Sequence, residues 1–183
     1  MCNQGMVVGG YAPDFELPGV DGAVHHLRRY LSSHRAIAVV FMCNHCPYVR
    51  LYLERLKQIQ SAFAEQGVVL IGINANDDAQ YPDDSYENMK QFAAQYQLNF
   101  PYLRDVTQDV AEAFGAEQTP QVFLLDGDGV VRYCGAVDDN AQDAERVTQR
   151  YLQDAIAHLL AGTDLEQTTT SAVGCSIKWK PEI

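Results

Sequence analysis

Positive charge is scarce in this sequence. Thirteen Lys and Arg stand against 24 Asp and Glu among 183 residues, a formal net charge of −11. Such a field repels phosphate backbones and anionic lipid surfaces, so neither nucleic acid nor a membrane is an expected partner. The chain has no uninterrupted apolar run of the roughly eighteen residues a membrane helix needs, and no basic start followed by an apolar stretch. The expected location is therefore the cytoplasm. Internal repeats and low-complexity tracts are missing as well. Cysteine is sparse: five residues, at positions 2, 43, 46, 134 and 175, an odd and scattered set apart from one close pair. That is not the disulfide framework of a secreted scaffold, and in a reducing compartment a close pair points to redox chemistry or metal.

What is present suits one folded domain. Apolar residues make up 47% and charged residues 20% of the chain, enough for a core and without the signature of disorder. Residues 12 to 30 hold short alternating segments around Asp21-Gly22, a small β-hairpin. Ala36 to Met42 is a continuous, branched apolar run, as expected of a strand buried on both faces of a parallel sheet. Pro47 then fits a first helical position, with Tyr52, Leu56, Ile59 and Phe63 on one face and Gly67 as the stop. Val68 to Ile73 is a second buried strand, followed by an acidic loop, Asn74 to Asp84, and a helix marked by Met89, Phe92, Ala93 and Tyr96. A short strand at Phe100 to Leu103 and a helix at Asp105 to Phe114 come next. A strand at Gln121 to Leu125 turns through Asp126-Gly127-Asp128-Gly129 into another at Val130 to Ala136. A helix bearing Leu152, Ala155, Ile156, Leu159 and Leu160 stops at Gly162. Strands alternating with helices, then a hairpin and a helix, imply an α/β fold whose mixed central sheet is flanked by helices. The domain spans 1–162. Residues 163–183 form a C-terminal tail packing on it, with Gln167 to Ser171 polar enough for a linker.

The strongest local signal is Cys43-Asn44-His45-Cys46-Pro47 between a strand end and a helix start. A thiolate is the nucleophile of disulfide exchange, and the positive end of a helix lowers a thiol pKa. Two intervening residues let the second sulfur close a bond. On this reading Cys43 attacks and Cys46 resolves, while a protonated His45 favours the thiolate and makes the couple more oxidising than about −270 mV. Inert buried cysteines and a zinc half-site are the other readings; structural zinc wants four ligands, and Cys134 and Cys175 are isolated. Copper or another soft metal on Cys43, His45 and Cys46 is chemically reasonable. No metal and no organic cofactor is expected.

The buried strand, the C-x-x-C-P opening a helix, and Thr119-Pro120 leading into a hairpin together resemble the thioredoxin fold. Gly10-x-Ala12-Pro13-Asp14-Phe15-x-Leu17 with Asp21-Gly22 resembles the N-terminal signature of the redoxin branch, the alkyl hydroperoxide reductase and thiol-specific antioxidant proteins. Three further stretches are similar to a bacterial peroxiredoxin-like, thioredoxin-family subgroup: Phe41 to Val49 with its CNHC run, Tyr81-Pro82-Asp83-Asp84-Ser85, and Gly174-Cys175-Ser176-Ile177-Lys178-Trp179. The resemblance covers residues 8 to 162. It implies that Pro120 is a cis-proline facing Cys43 and Cys46, and that the carbonyl before it pairs with an extended substrate strand.

Two departures bear on function. If Cys46 stands where a peroxiredoxin has its peroxidatic cysteine, then Cys43 takes the place of the Thr or Ser, Val39 that of the Pro, and Pro120 that of the polarising Arg. The strand before the cysteines also has no acid, so proton transfer at Cys46 must use water, His45 or a residue from elsewhere. The leading expectation is a thiol-disulfide oxidoreductase in redox homeostasis or antioxidant defence. It would act on a protein or small-molecule disulfide docked along Thr119-Pro120 and draw on a cellular thiol reductant. The alternatives are a thiol peroxidase and a non-catalytic metal-binding or adaptor module. Cys175 is either a passive tail residue or a third thiol that folds back as a relay, with Trp179 pinning the tail and Lys178 and Lys180 facing an acidic protein. Cys134 reads as core and Cys2 as terminal. His25, His26, His34 and His158 read as surface or edge residues. The acidic loop reads as a solvated loop whose last acids cap the next helix rather than as a calcium site.

Overall fold

The structure is a computed structural model, and it describes residues 7–183; Cys2 lies outside the described residues. The chain opens with an antiparallel hairpin, β1 (Glu16–Pro18) and β2 (Val24–His26), around Asp21-Gly22. A short helix that the sequence pattern does not suggest, α1 (Leu27–Ser33), follows at once. Then come β3 (Ala36–Phe41), α2 (Pro47–Phe63), β4 (Val68–Asn74), α3 (Tyr86–Gln95) and β5 (Tyr102–Arg104). They are followed by α4 (Asp109–Phe114), β6 (Gln118–Thr119), β7 (Gln121–Asp126), β8 (Val131–Gly135), α5 (Tyr151–Ala161) and β9 (Cys175–Ser176). Helix α4 starts later than the pattern implies, because Asp105 is fully buried and its Oδ2 accepts from Ala111 N at 2.8 Å, capping the helix from outside.

The central sheet runs β5-β4-β3-β7-β8, with β3, β4 and β5 parallel and β7 and β8 antiparallel. Its inner strands are apolar on both faces because both faces are covered. Ala36, Ala38, Val40, Leu70, Val122 and Leu124 turn to the side packed by α2, α3 and α5. Ile37, Val39, Phe41, Ile71, Phe123 and Leu125 turn to the side of α1 and α4, where Phe41, Phe114 and Phe123 meet edge to face at 5.2–5.8 Å. Each Val, Leu, Ile and Phe among them contributes roughly 1.5–3 kcal/mol by leaving water. Strand β3 lies at the centre, so the residues after Phe41 emerge at the carboxyl edge of the parallel strands, where open α/β sheets place their sites.

The tail is not a linker along Gln167 to Ser171. Strand β8 is the sheet edge and leaves backbone groups to be paired. Cys134 N donates to Thr168 O and Thr170 N to Cys134 O, both at 3.0 Å, while the Thr170 hydroxyl lies 2.6 Å from Tyr133 Oη and accepts from Ala136 N. Gly135 (φ +146°) permits the approach, since a Cβ there would meet Thr170 Oγ1 at 2.2 Å. Cys134 itself is buried in β8. Among the described residues no helix is long and apolar enough to cross a membrane.

Candidate active site: a dithiol turn closed by a buried acid and the tail

The turn after β3 carries Met42 to Cys46, and α2 begins at Pro47 with Cys46 as its N-cap residue. Pro47 lacks an N–H and fixes φ at the first helical position, so the helix N-terminus falls on Cys46, and Cys43 sits three residues earlier at the strand end. The Cys46 pKa falls well below the ordinary thiol value, chiefly because the neighbouring Cys43 thiol favours its charged form. Cys175, Thr119 and the first-turn amide of Val49 act in the same direction against burial. Cys43 moves the opposite way, raised first by the neighbouring Cys46, then by burial and by the charge of Asp84.

Thr119 and Pro120 face the pair. The Thr119–Pro120 peptide is cis. As a neutral thiol Cys46 donates to Thr119 O at 3.3 Å, and Cys43 Sγ lies 3.7 Å from Thr119 Oγ1. Asn44 is a brace: its Nδ2 donates to Asp83 O at 2.9 Å, and its Oδ1 accepts from Tyr102 Oη at 2.7 Å.

The acidic loop is where the sequence reading goes wrong. Asn74, Asn76, Asp77 and Asp84 are buried, Asp84 completely. Asp84 accepts from Asn44 N at 2.7 Å, Asn76 Nδ2 at 3.0 Å and Asn74 Nδ2 at 3.2 Å, and it pairs with His45 Nδ1. Its helix-capping part passes to Ser85, whose hydroxyl accepts from Asn88 N. A buried carboxylate survives only with such partners. Cys43 Sγ, a ring nitrogen of His45 and an oxygen of Asp84 all lie within 4.8 Å of one another. A buried carboxylate, which β3 does not supply, thus stands beside Cys43, and it comes from a loop some forty residues on. The one local signal for it is that it lies in Tyr81-Pro82-Asp83-Asp84-Ser85, a stretch that carries the family resemblance. His45 pairs with Asp84 and keeps a ring nitrogen within 4.8 Å of Cys43 Sγ, and its ring stacks on Tyr81 at 5.8 Å. Cys43, His45 and Asp84 are the residues that could hold a metal, but a cation would have to separate His45 from Asp84 and compete with the three amide donors.

The tail closes the site. Strand β9 pairs antiparallel with β6, Cys175 opposite Thr119 and Ser176 opposite Gln118. Ile177 is buried and its N–H donates to Glu117 O at 2.9 Å. Lys178 N donates to Asn76 Oδ1, Lys178 O accepts from Asp77 N and Gln108 Nε2, and Lys180 N donates to Gln108 Oε1, all within 2.9 Å. Trp179 does not pin the tail, being 43% exposed; Ile177 and these backbone bonds do. Cys175 is half-buried, in register opposite Thr119, and its thiol is close enough to Cys46 to favour the charged form there.

Two thiols on a strand-to-helix turn, a proline-led strand opposite them and a central mixed sheet define a thioredoxin-fold oxidoreductase of the redoxin kind. A model of the AhpC/TSA family matches residues 8–134, and the chain belongs to that family. It is 26% identical over 127 residues to the thiol-disulfide oxidoreductase ResA of Geobacillus thermodenitrificans (strain NG80-2), 69% of this chain and 68% of that one. Among solved structures, an uncharacterized conserved protein from Geobacillus kaustophilus is 38% identical with a TM-score of 0.92, over 99% of this chain and 96% of its own, so the likeness includes the tail. The thioredoxin domain of a thiol-disulfide oxidoreductase from Bacteroides vulgatus shares the fold, at 19% identity and a TM-score of 0.59 over 69% of this chain and 86% of that one.

Proposed function

We propose that this chain exchanges thiols and disulfides through Cys43 and Cys46, with the roles opposite to those read from the sequence: Cys46 attacks and Cys43 resolves. What supports this is the place of Cys46 at the N-cap of α2, beside the Cys43 and Cys175 thiols and the first-turn amide of Val49, all of which favour its charged form. Cys46 attacks one sulfur of the substrate disulfide and the other leaves as a thiolate. Cys43, losing its proton toward Asp84, attacks the Cys46 sulfur of the mixed disulfide, which frees the second substrate sulfur and leaves a Cys43–Cys46 disulfide. Thr119, Pro120, Asn44, His45 and Pro47 position the pair. The substrate is a protein or small-molecule disulfide, a cellular thiol resets the enzyme, and the setting is redox homeostasis or antioxidant defence in the cytoplasm.

Stabilising the reduced form through a low-pKa thiolate raises the potential, so the couple is expected above about −270 mV. Titration in glutathione redox buffers, with free thiols trapped by alkylation and counted by mass, tests the reading. A reversible two-electron transition confined to Cys43 and Cys46 supports it, and a pair that never oxidises reversibly sinks it. Peroxide consumption with an external dithiol separates exchange from a peroxidase. With Cys43 in the place of a polarising hydroxyl and Pro120 in that of an Arg, a rate no faster than that of free cysteine is expected.

A further inference from the structure

Neither sulfur of the pair is open to solvent: Cys43 is 1% exposed and Cys46 0%. What covers them is the protein's own tail. An extended segment paired to the strand before Pro120, with a sulfur beside the attacking cysteine, is the arrangement a bound disulfide substrate would adopt by adding a strand to this edge. Here β9 takes that place with Cys175 in register opposite Thr119. The fit is close: a Cβ on Gly174 would stand 2.0 Å from Thr119 O, so only glycine lets the tail lie this near. The Thr119 hydroxyl donates to Cys175 O at 3.4 Å. Ile177 and the bonds of Lys178 and Lys180 to Asn76, Asp77 and Gln108 anchor the segment just beyond. Of the three thiols gathered here, Cys175 is the one that reaches solvent.

We infer that β9 is a built-in substrate strand and that Cys175 is a third redox cysteine, which passes electrons between the buried Cys46 and disulfides or thiols outside. This rests on the dithiol reading above. In the oxidised protein the Cys175 thiolate attacks the Cys46 sulfur. The Cys43–Cys46 bond breaks, a Cys46–Cys175 bond forms, and Cys43 leaves as a thiolate that takes up the proton Cys175 has lost. An external thiolate then attacks the half-exposed Cys175 sulfur and Cys46 departs. Because Cys46 is the best stabilised thiolate of the three, it is the best leaving group, which directs the outside thiol to Cys175. A second external thiol attacks the mixed disulfide and frees Cys175. Two external thiols end as one disulfide; their two electrons reside on Cys43 and Cys46, one proton stays on Cys43, and the other is released because Cys46 keeps its charge. Run backwards, the same steps reduce an external disulfide. In the reduced protein, burial and the neighbouring Cys46 hold the Cys175 pKa above the ordinary value, so Cys175 stays protonated beside Cys46.

The test uses the full chain with glutathione disulfide as the probe. In Cys43→Ser, oxidation followed by acid quench and peptide mapping is expected to give a Cys46–Cys175 disulfide as the main product. In Cys175→Ser, glutathione disulfide is expected to oxidise the Cys43–Cys46 pair about tenfold more slowly than in the natural chain. A Cys43→Ser protein that yields only a Cys46–glutathione adduct, or a Cys175→Ser protein that reacts at the natural rate while Cys43 and Cys46 still titrate reversibly, overturns the relay alone. Loss of the reversible Cys43–Cys46 couple in the natural chain overturns the dithiol reading and the relay with it. Ile177→Asp, which loosens the tail without touching a sulfur, tells a relay from a plain cover. A relay is slowed when β9 leaves β6, whereas faster exchange in that variant would make the tail a lid and overturn the proposal.

Discussion

The dithiol turn and the wall that closes it are built by different means. The turn, Met42 to Pro47, is local: an apolar strand ends, two residues separate the sulfurs and a proline starts the helix. The wall, Asn74 to Asp84 with the tail from Thr168 to Lys180, is polar and non-local, held by side-chain amides and backbone groups from five separate stretches. The turn supplies reactive atoms. The wall sets what surrounds them and which sulfur meets solvent.

Changes on either side of that comparison should have effects of very different size. Replacing the attacking sulfur, Cys46→Ser, is expected to abolish exchange with glutathione disulfide while the fold persists, checked by stopped-flow kinetics and circular dichroism. In the scaffold beneath both regions, Phe123→Ala empties a site between Phe41 and Phe114 and is expected to cost about 3–5 kcal/mol in denaturant unfolding. In the wall, Asp84→Asn keeps the size of the side chain but removes the base next to Cys43. Resolution of the mixed disulfide, followed by stopped-flow kinetics with glutathione disulfide, should slow by about a hundredfold; an unchanged rate would leave Asp84 only a bracing role.

A smaller effect joins the two regions. The Cys46 thiol titrates below the ordinary value because the groups around it favour the charged form, so its ultraviolet thiolate absorbance should persist at neutral pH and fade on acidification. Removing the first of those groups with Cys43→Ala should move the midpoint of that fade upward, and removing Cys175 should move it less. The smallest change expected is that of Trp179→Ala, whose exposed side chain should leave exchange and stability within about 0.5 kcal/mol of the natural chain.

Residue patterns made much of the scaffold legible. Ala36 to Met42 and Val68 to Ile73 read as doubly buried strands, and Tyr52, Leu56 and Ile59 as a helix face, because apolar periodicity reports directly on burial. Helix α1 stayed hidden because Leu27 is its one buried residue, and seven residues give too few turns for a stripe. Asp77 and Asp84 were misread for a related reason. Composition counts a run of acids as solvated, and their burial depends on Asn44, Asn74, Asn76 and His45 arriving from other elements.

The sequence by itself determined the order of elements, the two-layered core and the presence of two cysteines at a strand-to-helix junction, since each depends on neighbours within a few residues. Only the tertiary structure decided that Asp84 stands beside Cys43 and that the tail lies on β6 with Cys175 against the pair. Those outcomes turn on hydrogen bonds between residues 40 to 102 positions apart, whose partners no local pattern can name.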